Sequence, residues 1–324
     1  MALLAPNLQI DLSSLTLHSP TRLNSQALTT LRETSVDTPI EEMRTRYRND
    51  GYLLVKGLLP RADVIRFRKK FFEFFSETGI CEVGKEEEGL FPADKDPEDF
   101  APIGTAKFDV NWTPELEKPY YQFVEKVHTM PDYLEFCQHP SLWNFVSQFT
   151  GWAHPILYKR SMLRANVPGG DITGIHYDKM FLRAGDPGFL TGWIPLGDID
   201  VTGGGLIYLE NSISVAKEME DNWQKQASHL PEKERISAFN AAMTDGSRCG
   251  RDAAEFADKT GRRWLVGNYQ AGDVIFHDGF MIHTSCRNED NSRRIRLATD
   301  LRFGDGDKKI DTRWMNYWKL GDGL

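Results

Sequence analysis

The sequence predicts an α+β fold in which a β-sandwich or barrel-like core carries helices on its outside. Three observations predict it. Apolar residues at helical spacing mark the first half of the chain, and short β-prone runs separated by Gly, Pro and Asp follow Gly151. The third is composition: 324 residues with 40% hydrophobic and 11% aromatic content are enough for a packed core.

Residues 1–37 are rich in Ser, Thr, Asn and Leu without sustained periodicity and read as a loosely ordered N-terminal arm, with residues 38–324 as a single domain. Glu41 to Asn49 reads as a helix stopped by Gly51, and Tyr52 to Val55 as a short strand. From Ala62 to Phe75 the residues Val64, Ile65, Phe67, Phe71, Phe72 and Phe75 recur at helical spacing and are expected in the core. Lys85 to Asp99 reads as a surface loop, and helical patterns resume at Tyr120–Val127 and Ser141–Phe149. Strands are expected at Ile156–Tyr158, Met162–Arg164, Leu190–Leu196, Gly205–Leu209, Val274–Phe276 and Ile295–Phe303. A polar, helix-prone insertion from about Ser214 to Arg263 separates two of them; so long an excursion from a β core is expected to be a lid.

The net charge of −8 gives no attraction to phosphate backbones or anionic membranes. Cys81, Cys137, Cys249 and Cys286 form no CxxC pair, so neither a disulfide framework nor a structural zinc site is expected. Neither a secretory signal nor a membrane span is expected from the N-terminal residues and the lack of a long apolar run, and the last residues, Gly321-Asp322-Gly323-Leu324, are not of the Ser-Lys-Leu type. A cytoplasmic protein that takes a small-molecule substrate, with a homodimer as the candidate assembly, is the expectation.

The chemistry concentrates in Gly174-Ile175-His176-Tyr177-Asp178. Residues two apart on a strand face the same side, so His176 and Asp178 project together. A second histidine would complete a two-His, one-carboxylate set, which leaves three coordination positions open and suits iron(II). His283 follows the strand at Val274-Ile275-Phe276 and the turn at Asp278-Gly279, and His277 is its rival as third ligand. Arg294 and Arg296 lie on the following strand, and a buried strand arginine calls for an anion to grip. Alternation puts both on one face and does not choose between them.

In these motifs the chain resembles the phytanoyl-CoA dioxygenase family of iron(II)/2-oxoglutarate oxygenases, from Tyr47 to Arg302. The motifs are Gly51-Tyr52, His176-Tyr177-Asp178, Trp193 through Gly204-Gly205 to Ser212, Gly272-Asp273-Val274-Ile275-Phe276, His283, Ser285 and Asn288. The resemblance implies a double-stranded β-helix (jelly roll) with iron(II) on His176, Asp178 and His283, and with 2-oxoglutarate and dioxygen as cosubstrates. It places the 2-oxoglutarate arginine about eleven positions after the distal histidine, which points to Arg294 with Arg296 as fallback. Trp193, Ser285, Met162 and Lys126 would line the cosubstrate pocket. Tyr177 and Lys179 are not the residues typical of the acyl-CoA branch, and the Arg294/Arg296 strand followed by Asp300-Leu301-Arg302-Phe303 and Asp311-Thr312-Arg313-Trp314 looks more like microbial and fungal members that tailor small metabolites. An intact Asp178 favours hydroxylation, desaturation or rearrangement over halogenation. A catalytically silent jelly-roll binding subunit and an acyl-CoA 2-hydroxylase are the competing readings, and succinate formation from 2-oxoglutarate separates the first from an oxygenase.

Overall fold

A computed structural model describes residues 10–102, 118–231 and 249–320. The helix-periodic segments fold as α1 (Ile40–Asp50), α2 (Arg61–Phe74), α3 (Pro119–Val127), α4 (Pro131–Cys137) and α5 (Pro140–Thr150). Their ends follow local chemistry. Pro140 opens α5 while the His139 ring accepts from Ser141 N. Helix α1 stops at Gly51, whose φ of 78° is left-handed. A Cβ there would also lie 2.9 Å from Ile213 Cδ1.

The strands are β1 (Leu17–His18), β2 (Arg22–Leu23), β3 (Leu28–Thr30), β4 (Glu33–Ser35), β5 (Tyr52–Lys56), β6 (Pro155–Leu157), β7 (Met162–Asn166), β8 (Leu190–Pro195), β9 (Leu206–Leu209), β10 (Trp264–Val266), β11 (Val274–Asp278), β12 (His283–Ser285) and β13 (Arg296–Asp305). The larger sheet runs β4-β5-β11-β8-β13-β6, with β7 also on β13; the smaller runs β12-β9-β10-β3. The eight strand positions of a jelly roll are filled by β7, the bridging pair Ile175–His176, β8, β9, β10, β11, β12 and β13. The fold is therefore a double-stranded β-helix with α-helices against it. Part of the expected N-terminal arm is in the sheets: β3 pairs in parallel with β10, and β4 with β5.

Strand alternation sorts the residues of the larger sheet. Gly192, Ile194, Leu297, Leu301, Phe303, Phe276 and Val274 face the helices. There all but Gly192 join Val64, Phe67, Phe71, Phe72, Phe145 and Phe149 in the largest hydrophobic cluster of the described residues. Fully burying one such phenylalanine contributes about 1.5–3 kcal/mol. The opposite face turns into the barrel, where Trp193, Tyr208, Tyr269, Ile275, Met281 and Ala298 pack together. On that face β13 also carries Arg296, Asp300 and Arg302. One buried cation holds the two layers: Arg68 of α2 donates to the carbonyls of Glu87, Glu88, Leu196 and Ile295. It thereby pins part of the expected surface loop to the barrel.

The described part of the insertion folds as α6 (Ile213–Gln226) and α7 (Ala253–Thr260). Residues 232–248 of it lie outside the described residues. Neither helix hangs free. Ser212 Oγ, just before α6, accepts from Ile282 N at 3.0 Å, and Trp264 Nε1 donates to Ala253 O at 2.8 Å. No helix among the described residues is long and apolar enough to cross a membrane.

Candidate metal centre

The expected strand through His176 is shorter than its pattern suggested. Ile175 and His176 make isolated bridges, to Gly250 and His283, and Asp178 opens a single 3-10 turn, Asp178–Met180. Tyr177 between them stays extended, with φ −128° and ψ 143°. The side chains of His176 and Asp178 therefore still leave on one side, and the bridge from His176 to His283 brings the third residue beside them.

The donor atoms of His176, Asp178 and His283 lie within 4.8 Å of one another, and all three residues are buried. Asp178 Oδ1 is 3.8 Å from His176 Nε2 and 3.9 Å from His283 Nε2. Each imidazole is oriented by a backbone carbonyl: His176 Nδ1 donates to Gly174 O at 2.8 Å and His283 Nδ1 to Met281 O at 2.9 Å. A proton committed to Nδ1 leaves the Nε2 lone pair for a metal ion. Burial, then the neighbouring His277, pushes the His283 pKa down to about 3. The ring is thus neutral and ligand-competent at ordinary pH. Burial alone would raise the Asp178 carboxyl. Arg302 outweighs it, aided by His277 and His283, and holds the group well below the usual carboxylate range. Two imidazoles held at Nδ1 by backbone carbonyls and one ionised carboxylate fit iron(II) and leave half of an octahedron for other ligands.

His277 is close without sharing this arrangement. Its Nε2 lies 3.5 Å from Asp178 Oδ2, the oxygen on the other side of the carboxylate, and its Nδ1 faces Tyr208 Oη at 3.3 Å. Asp278 shapes the turn between the two histidines, its Oδ1 accepting from Phe280 N at 2.8 Å.

The residues expected around the cosubstrate separate in space. Trp193 lies on the interior face of β8, its ring centroid 4.7 Å from that of Tyr269. Ser285 ends β12 and its Oγ accepts from Thr173 N at 3.2 Å. Met162 opens β7 opposite Asp300 and is half-buried. Lys126 is exposed on α3, its Nζ 5.3 Å from the Phe123 ring centroid, in a surface cleft shared with Lys159 and Trp318. None of the three metal-site residues lines that cleft.

The two candidate arginines differ in burial and in partners. Arg293 has a left-handed φ of 61°, and the strand β13 begins at Arg296. Arg294 precedes it in a single bridge to Leu90. Its side chain is 34% exposed and already holds Asp290 and Asp200, at 2.9 and 2.5 Å. Arg296 is buried inside the barrel with its guanidinium carbon 6.0 Å from the Trp193 ring centroid, and its Nε has no hydrogen-bond partner. Burial and the nearby Arg164 push its pKa down to about 10. Asn166, its register partner on β7, leaves Oδ1 buried and unpartnered as well.

Two neighbours of Asp178 went unread in the sequence. Arg302 donates from Nε and Nη2 to its two oxygens, both at 3.1 Å, and Thr191 Oγ1 donates to Oδ2 at 2.6 Å. The signal was present: Arg302 is an even number of residues from Arg296 along one strand, hence on the same face. Asp300 between them pairs with Arg164 at 2.9 Å, inside the barrel rather than at the surface.

Comparison with known proteins agrees with this architecture. The phytanoyl-CoA dioxygenase (PhyH) family matches residues 47–296. A search of curated proteins finds no significant match. Among solved structures, the non-haem alpha-ketoglutarate-dependent carbocyclase SnoK from nogalamycin biosynthesis is 19% identical, with a TM-score of 0.51 over 91% of this chain and 96% of its own. The non-haem alpha-ketoglutarate-dependent epimerase SnoN from the same pathway is 15% identical, with a TM-score of 0.49 over 84% of each chain. The likeness to SnoK is one of fold. The family match covers most of the sequence and includes all three residues of the metal triad, so this chain belongs to the phytanoyl-CoA dioxygenase family of non-haem iron(II)- and 2-oxoglutarate-dependent oxygenases.

Proposed function

We propose that this enzyme oxidises a C–H bond of a small-molecule substrate of secondary-metabolite type, by hydroxylation, desaturation or rearrangement, with release of succinate and CO2. The carrying observation is Arg296: a buried guanidinium with an unpartnered Nε, on the interior face of the barrel that also holds the metal triad. An unpaired buried cation is costly, and the far carboxylate of 2-oxoglutarate would neutralise it through charge-assisted hydrogen bonds. Arg296 is accordingly the proposed cosubstrate arginine, with Trp193 walling the site between it and the triad.

Iron(II) bound with 2-oxoglutarate and dioxygen supplies the oxidising power. The chain supplies geometry. His176 and His283 present their Nε2 atoms from rings fixed by the carbonyls of Gly174 and Met281. Asp178 presents an ionised oxygen fixed by Arg302 and Thr191. The apolar packing of Trp193, Tyr208, Tyr269 and Met281 excludes water from the interior, which limits side reactions of an oxidant generated there.

The substrate side is proposed to be shaped by the insertion. Helix α6 is tied to the metal segment, because Glu220 accepts from the hydroxyl of Tyr177, the residue between two metal ligands. Tyr177 and Lys179, which set this chain apart from the acyl-CoA branch, are thus both engaged locally. Lys179 Nζ donates to the carbonyls of Leu182 and Gly185, each at 3.0 Å.

The test is to incubate the protein with iron(II), ascorbate, 2-oxoglutarate and a panel of candidate metabolites, and to follow succinate and product mass together. Succinate rising in step with a substrate altered by oxygen insertion or loss of two hydrogens is expected. No succinate under any condition, with iron bound, would leave the binding-subunit reading.

A further inference from the structure

The fold treats the two oxygens of Asp178 differently. Oδ1 faces the histidines and accepts one hydrogen bond, from Arg302 Nη2 at 3.1 Å. Oδ2 accepts two, from Thr191 Oγ1 at 2.6 Å and Arg302 Nε at 3.1 Å, and His277 Nε2 stands 3.5 Å from it. An ionised carboxylate has about four lone-pair sites, two on each oxygen. Both sites on Oδ2 are therefore occupied, whereas Oδ1 keeps one for an ion between the imidazoles.

The two donors are rigidly placed. Arg302 and Thr191 are directly paired across β13 and β8, and both are buried. The Arg302 guanidinium carbon also lies 4.8 Å from the Trp314 ring centroid. Strand-borne donors held by packing fix a ligand more tightly than loop-borne ones.

We infer that Arg302, assisted by Thr191, is a positioning residue that restricts Asp178 to one coordinating oxygen and so keeps a coordination position open beside the two histidines. The inference rests on the iron(II)/2-oxoglutarate reading. In an octahedral site, two histidines and a one-armed carboxylate leave three positions, enough for a chelating keto acid and dioxygen. A carboxylate that chelated through both oxygens would leave two, and the keto acid would fill both. Loss of Arg302 has two opposing effects on the metal itself: the ligand is less well oriented, but a cation no longer faces the ion. Stoichiometric metal binding is therefore expected to survive, and the change should appear in the open positions.

The experiment uses the full chain loaded with manganese(II) under anaerobic conditions, comparing the wild type with Arg302→Met, Arg302→Lys and Thr191→Val. Water-proton relaxation counts rapidly exchanging metal-bound waters, and calorimetry gives the 2-oxoglutarate affinity of the loaded protein. Arg302→Met is expected to bind one manganese per chain, to lose about a third of the exchanging waters and to bind 2-oxoglutarate about tenfold or more weakly. Thr191→Val should change both readouts in the same direction by less. Arg302→Lys, whose ammonium can still occupy Oδ2, should recover most of both. Wild-type water count and 2-oxoglutarate affinity in Arg302→Met would overturn the inference. So would loss of metal from Arg302→Met together with unaltered water count in Thr191→Val, since Arg302 would then serve only to support the site. If wild-type protein loaded with manganese binds no 2-oxoglutarate, the proposed function fails instead, and the water count still decides the role of Arg302.

Discussion

Tyr177, the residue between the metal ligands His176 and Asp178, donates its hydroxyl to Glu220 of α6 at 2.9 Å. Glu220 is in turn held bidentately by Arg183, at 2.5 and 2.7 Å, and Arg183 stacks 4.1 Å from the Trp223 ring centroid. Both partners of the ion pair are under a tenth exposed. Removing one leaves the other buried and uncompensated, so Glu220→Ala is expected to cost about 3–5 kcal/mol in chemical denaturation. Tyr177→Phe, which removes one hydrogen bond, should cost about 1 kcal/mol. Equal, small losses for both variants would show that this junction contributes little to the metal segment.

Arg296→Ala should raise the 2-oxoglutarate requirement roughly thirtyfold or more with little change in that for the main substrate, the consequence of losing about 2–5 kcal/mol from a buried charged pair. Arg294→Ala removes a partly exposed pair with Asp290 and Asp200. It should shift the requirement by no more than about fivefold, in keeping with a surface ion pair worth up to ~1 kcal/mol. Steady-state kinetics with 2-oxoglutarate varied decides between them, and the reverse ranking would return the role to Arg294.

His176→Ala and His283→Ala are each expected to abolish stoichiometric iron binding, whereas His277→Ala should retain it, because the ring of His277 sits on the Oδ2 side of Asp178. Metal analysis after anaerobic loading measures this. Retention of iron by His283→Ala and its loss from His277→Ala would reverse the assignment of the third ligand.

His128 ties α3 to β7: its Nδ1 donates to Val124 O at 2.7 Å and its Nε2 accepts from Leu163 N at 3.1 Å. Burial pushes its pKa down to about 4. The folded ring stays neutral while the unfolded one protonates near 6.5, so the unfolded state binds the extra proton between those values. Stability from this group is full above about pH 6.5 and is lost as pH falls toward 4, at up to about 1.4 kcal/mol per pH unit. Denaturation of wild type and His128→Gln across that window should show a shallower acid dependence in the variant. Parallel curves would show that another group carries it.

Shortening the insertion between α6 and α7 should uncouple the reaction, with 2-oxoglutarate still consumed while product per succinate falls to about half or less, as expected when an element that excludes water is lost. A shortened protein that folds, binds iron and keeps full coupling would assign the insertion a role remote from the substrate.

Local pattern by itself determined the helices at α1, α2, α3 and α5, most of the strands, and the pair His176 and Asp178, whereas His283 was preferred to His277 only through the family resemblance. The phenylalanines of α2 repeat at helical spacing, and the extended step at Tyr177 sends His176 and Asp178 to one side; both are properties of a few consecutive residues. The N-terminal strands β3 and β4 escaped because their partners, β10 and β5, lie elsewhere in the sequence and their own runs are too short to carry a period. The different surroundings of Arg294 and Arg296, on which the proposed role of Arg296 rests, also appear only in the tertiary structure. Arg293 is left-handed and β13 begins at Arg296, and no spacing rule reports where a strand begins. Arg302 and Thr191 meet Asp178 because β13 pairs with β8 in one register, so three residues distant in sequence share a single carboxylate. The residue types that could bind a metal were legible in the chain. Which oxygen of Asp178 would face the metal is set by long-range strand pairing, which only the folded barrel specifies.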